Sequence, residues 1–93
     1  MLLDQSPYEV DVTLELLDEE LHCNREIEFM LREILYFAEP CTDRPLPPIY
    51  KIWDVKAHVC IFEGNIAQMF AFEFPGGGTL ESDFELFTFL YIY

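Results

Sequence analysis

The sequence predicts a small α+β domain: a largely antiparallel four-stranded sheet with one helix on one face, which Asn24 can break in two. Three observations predict it. Apolar residues alternate with polar ones over residues 8–16, and residues 55–74 read as two strands about Gly64-Asn65 that share one apolar face. They recur at helical spacing over residues 18–38. Of the 93 residues, 52% are hydrophobic and 16% aromatic, which supplies a core and excludes ordinary disorder. A chain of this length reads as one domain, 1–93, and buries only about 60–65% of its unfolded surface.

Each element has its own warrant. Over residues 8–16, Val10, Val12, Leu14 and Leu16 fall on one side, with Glu9, Asp11, Thr13 and Glu15 on the other. That is the period of a half-buried strand, and the valines and Thr13 favour it. A helix is the rival, with Ser6-Pro7-Tyr8-Glu9 as a capping box and Val10, Leu14, Leu17 and Leu21 as its stripe. Residues 18–38 predict a helix capped by Asp18, with Glu19 and Glu20 at the positive end of its dipole. Leu21, Ile27, Leu31, Ile34, Leu35 and Ala38 recur along it, and Pro40 ends it. Residues 39–48, EPCTDRPLPP, are a stiff connection.

Further on, VKAHVCIFE and IAQMFAFEF flank Gly64-Asn65, a two-residue hairpin signal. One face of that hairpin carries Val55, Ala57, Val59, Ile61, Ile66, Phe70, Phe72 and Phe74, a core face. Pro75-Gly76-Gly77-Gly78 is a loop, and FELFTFLYIY, residues 84–93, is a strand apolar on both sides. From Leu86 to Tyr93 it has no charge and no proline, so an exposed edge there would invite aggregation. It is expected in the middle of the sheet or under a partner. One helix covers one face only, and a homodimer is one way to cover the other.

Charge constrains function more than any motif does. The net charge of −13 comes from 18 acids and 5 bases. Residues 1–39 hold 11 acids and 2 bases, residues 40–56 two acids and three bases, and residues 57–93 five acids and no base. Such a field repels nucleic acid and anionic membrane, and steers the chain toward basic surfaces. The start, MLLDQSPYE, lacks the basic and apolar regions of a signal peptide, and no apolar run approaches the ~18–20 residues of a membrane span. With three cysteines, Cys23, Cys41 and Cys60, the expectation is reduced thiols in the cytoplasm.

Chemistry-bearing patterns are missing. His58 and Cys60, two apart on one predicted strand face, and Cys41 with His22 or Cys23, are the soft ligands a zinc site would draw on. No CxxC or HxxxH pair accompanies them, so no metal or other cofactor is expected. There is no glycine-rich phosphate loop, no GxSxG and no nucleophile–base pair, so no enzyme is expected. The carboxylates are the informative residues. On a strand, Glu9, Asp11 and Glu15 project from one face with roughly 6.8 Å between alternate positions. That spacing resembles successive phosphates of a polynucleotide, and Asp18, Glu19, Glu26, Glu28 and Glu33 would extend the row. Glu81, Asp83 and Glu85 form a second candidate patch.

In length, charge, aromatic-rich α+β character and lack of a catalytic motif, the chain resembles the acidic DNA-mimic proteins of phages and mobile elements: anti-CRISPR proteins, anti-restriction proteins and uracil-DNA glycosylase inhibitors. The glycosylase inhibitors carry a Glu-Ser-apolar element on the strand that faces the enzyme. Here Glu81-Ser82 is followed by Asp83, which departs from that pattern. The resemblance implies a stoichiometric inhibitor that occupies the basic nucleic-acid channel of a protein or nuclease complex. The alternatives are an immunity protein or antitoxin against a basic nuclease, and a structural homo-oligomeric module.

Overall fold

The computed structural model describes residues 12–41 and 48–93. The elements run α1 (Leu14–His22), β1 (Ile27–Leu31), β2 (Ile34–Pro40), β3 (Ile49–Asp54), β4 (Val59–Asn65), α2 (Ile66–Ala71) and β5 (Phe87–Ile92), with a 3-10 turn at Phe84–Leu86. The class is α+β as predicted. Among the described residues the sheet has five strands rather than four, in the order β4-β3-β2-β1-β5, and every neighbouring pair is antiparallel.

The predicted helix over residues 18–38 is the largest correction. Its cap is Thr13, whose hydroxyl accepts the Leu16 N–H at 3.1 Å, so residues 14–16 are helical rather than extended and Asp18 lies inside the helix. The rest of the predicted first strand, residues 8–11, lies outside the described residues. The helix stops at Asn24, whose φ of 61° is a left-handed value that asparagine tolerates. Beyond it, Ile27, Phe29 and Leu31 are buried in alternation with Glu28 and Met30. The misreading has a simple cause: a spacing of four, as from Ile27 to Leu31, satisfies both a helical stripe and every second residue of a strand.

Arg32 and Glu33 then turn the chain, with Leu31 opposite Ile34 and φ values of 51° and 67°. Two positive φ values in a two-residue loop match the twist of the strands, but glycine or asparagine usually supplies them. Pro40 does not end a helix; it closes β2 opposite Tyr50.

The predicted hairpin at Gly64-Asn65 is also corrected. Asn65 caps α2: its side chain accepts the Gln68 N–H at 2.7 Å, and the Gln68 side chain accepts the Asn65 N–H at 2.8 Å. Gly64 is needed because a Cβ there would lie 2.6 Å from Gln68 Oε1 and 2.8 Å from the Phe62 ring. The actual hairpin joins β3 to β4, where Asp54 Oδ1 accepts the Ala57 N–H at 3.0 Å and the Asp54 carbonyl accepts the His58 N–H at 2.9 Å. Of the expected hairpin core, Ile66 and Phe74 are buried while Val59 is exposed. The loop at 75–78 is present, with Gly76, Gly77 and Gly78 all at positive φ.

Both helices and residues 72–86 lie on one face of the sheet. Leu17 and Leu21 of α1, Met69 of α2, Phe74 and Leu80 meet Ile27, Phe29, Tyr36, Ile52, Phe87 and Phe89 in one cluster. Phe29 is central, its ring centroid 5.7–5.9 Å from those of Tyr36, Phe74, Phe87 and Phe89. Tyr50 ties the end of α1 to the sheet, its hydroxyl 2.8 Å from the Leu21 carbonyl and 2.9 Å from that of Arg25. Among the described residues β5 lies at the edge of the sheet, paired with β1 alone, rather than central.

Candidate partner-binding surface

The predicted acids fall in three places. On α1, burial of Leu17 and Leu21 fixes the inward side. At 100° per residue Glu15, Asp18, Glu19 and His22 therefore turn outward. Glu15 and Glu19 are exposed and one helical turn apart, with Asp18 beside them. Helix neighbours at these intervals stand about 5–6 Å apart, so a short anionic ridge exists on a helix instead of the predicted strand. His22 approaches Asp18 Oδ1 at 3.5 Å, and Arg25 holds Glu20 at 3.2 Å. Glu9 and Asp11 lie outside the described residues. Glu26, exposed after the helix, lends its carbonyl to the Tyr93 N–H at 2.7 Å.

The second patch is partly structural. Asp83 Oδ2 accepts the Thr79 N–H at 3.0 Å, and Thr79 Oγ1 accepts the Ser82 N–H at 3.0 Å. Glu81-Ser82 thus sits in a turn closed by Asp83, not on a strand. Glu81 and Glu85 are exposed on either side of it. Arg32 reaches this region, donating from Nη1 to the Gly77 carbonyl.

Glu28 belongs elsewhere. Alternation along β1 puts it on the face turned away from the helices, so it does not continue the α1 ridge. There the register lines up Tyr91, Glu28, Phe37, Trp53 and Cys60 across five strands. A second row sets Lys51 between Glu39 and Glu63. Trp53 Nε1 donates to Glu39 Oε2 at 2.8 Å, which fixes the indole. Phe37 meets Tyr93 edge-on at 6.4 Å, and Tyr91 stacks on Tyr93 at 5.6 Å. A hollow of about 430 Å³ is lined by Glu28, Phe37, Trp53, Asp54, Val55 and His58. It adjoins one of about 680 Å³ that shares Asp54 and Val55 and extends to Glu33 and Leu35. Together they form a trough with an aromatic floor and carboxylates at its margins.

Sequence alone does not single out Trp53, Phe37 and Glu39, because 49–54 reads as β without a strand of its own, 18–38 reads as helix and 39–48 as a connection. The alternation in IYKIWD, with Tyr50 and Ile52 inward and Lys51 and Trp53 outward, is the signal that would have found them. His58, at φ 59° in the turn, does not share a strand face with Cys60. Among the described residues no three His, Cys, Asp or Glu side chains gather where they could hold a metal ion. Cys23, Cys41 and Cys60 are free thiols. Among the described residues, no helix is long and apolar enough to cross a membrane. Comparison of the chain with known protein families, with curated proteins and with solved structures finds no match.

Proposed function

We propose that this protein is a non-enzymatic cytoplasmic inhibitor that sets its carboxylates against the basic, nucleic-acid-binding surface of another protein or nuclease complex. One observation carries the reading. With 18 acids and five bases, pairing every base one-to-one still leaves 13 carboxylates over. Of the four acids of α1, Glu15, Asp18 and Glu19 share one outward helix face, while Glu20 lies on the other flank and is held by Arg25. An excess of that size speeds encounter with a cationic cleft, and exposed aromatic rings then slow departure by desolvating the contact.

The test has two stages. Proteins retained from lysate at low salt and released at high salt are identified, then assayed for DNA binding with and without this chain. Glu15→Lys, Asp18→Lys and Glu19→Lys combined should weaken inhibition by about two orders of magnitude or more while leaving the circular dichroism spectrum unchanged. A triple variant that inhibits as well as the parent removes the proposal.

A second reading, a homo-oligomeric module, is favoured by the position of β5. Among the described residues this uncharged, proline-free strand lies at the sheet edge, where another strand can add. Light scattering across a range of salt separates the two: a monomer throughout argues against assembly.

A further inference from the structure

We propose that the trough on the open sheet face receives an arginine side chain of the basic partner, with its guanidinium against Phe37 and Trp53 and its charge answered by Glu28. The inference rests on the reading of this protein as an acid-bearing ligand of a basic surface, and it assigns the contact to a particular place.

The occupant follows from the chemistry of the lining. Register sets Phe37 between Glu28 and Trp53, so one carboxylate and two rings stand side by side on adjacent strands within one hollow. A planar guanidinium uses both, stacking on a ring while its N–H fork meets a carboxylate. An ammonium is a compact, strongly hydrated charge and gains less from such a floor. The indole is already held by Glu39, so little ordering remains for binding to impose. Lys56 and His58 edge the trough toward the 55–58 turn, which leaves the end at Glu28 as the cation site.

A second copy fits poorly here. Each copy carries −13, and this face would set Glu28 and Glu33 against their equivalents. A polynucleotide meets the same repulsion.

Trp53 is the single tryptophan of the chain, so its fluorescence reads the trough directly. The probes are octa-arginine and octa-lysine, equal in charge, titrated in about 0.15 M salt. Octa-arginine should shift Trp53 emission and bind roughly tenfold more tightly than octa-lysine. Glu28→Gln, and Glu28→Gln with Phe37→Leu, should abolish that preference with the fold intact by circular dichroism. Glu15→Gln with Glu19→Gln should keep it, although two charges are removed instead of one. If the preference is missing from the parent or survives in the Glu28 variants, while the α1 variant weakens both peptides, the trough assignment falls and the acidic-docking reading stands. If neither peptide binds, both fall.

Discussion

On the covered face of the sheet, Phe29, Tyr36, Phe87 and Phe89 meet Phe74 and the leucines of α1, and no charged side chain is buried among the described residues. On the open face, Phe37, Trp53, Tyr91 and Tyr93 stand among Glu28 and Glu39. Both faces are aromatic. The difference is the company the rings keep: rings that touch only one another hold the fold, and rings interleaved with carboxylates are presented to something outside it. An aromatic-rich composition by itself does not separate these two uses.

The widest gap between the faces should appear on truncating one ring from each. Phe29→Ala should cost about 3–5 kcal/mol in denaturant unfolding, because it empties the centre of the aromatic cluster. Phe37→Ala should cost about 1 kcal/mol or less, since half-exposed sites lose little packing. Equal costs would erase the distinction between core and presented surface.

The covered face can be divided further through its tyrosines. Tyr50→Phe should lose about 1–3 kcal/mol, because the carbonyls of Leu21 and Arg25 lose their shared donor. Tyr36→Phe should be neutral or stabilising, because the buried Tyr36 hydroxyl has no hydrogen-bond partner among the described residues. Alkaline titration sharpens the contrast. Burial, followed by the charges of Cys23 and Glu26, pushes Tyr50 well above its ordinary value of 10.0. The unfolded chain therefore releases this proton first, so stability is retained below pH 10.0 and falls as pH rises beyond it. Tyr50→Phe should flatten that fall, measured by denaturant midpoints on either side of pH 10.0.

The smallest effect is expected at the end of the open face. Glu33 holds φ 67° without being glycine. Glu33→Gly should raise stability by up to about 1 kcal/mol by thermal unfolding, as the strain of the left-handed backbone is relieved. A loss would mean that the Glu33 side chain itself supports the turn.

Much of the architecture was readable from residues. Alternation and apolar runs called for an antiparallel sheet with helix on one side, and the Pro-Gly-Gly-Gly loop lies where its composition says. What misled were signals with two meanings. Gly64-Asn65 is equally a hairpin turn and a glycine followed by a helix cap, and Gln68, three residues after Asn65, was the discriminating residue. The β1–β2 turn carried no signal, because Arg32-Glu33 is an improbable pair for two left-handed residues. Among the candidate acids, exposure of Glu15 and Glu19 was foreseeable from charge alone. The separation of Glu28 from them was not, because it depends on the chain reversing from α1 into β1. The trough was illegible for a related reason: its floor comes from strands β2 and β3, whose register no local pattern declares.

The pairing of β1 with β5 sets an order on assembly. β1 meets β2, and β3 meets β4, across short turns and can zip locally, whereas Ile27 finds Ile92 only after the rest of the chain has been gathered in. Closing so long a loop comes late and is slow, so refolding is expected in milliseconds to seconds rather than microseconds. Until then Phe29 lacks Phe87 and Phe89, and β1 presents an unsatisfied backbone edge. That interval is when dense negative charge also serves the chain itself, by keeping half-assembled copies apart.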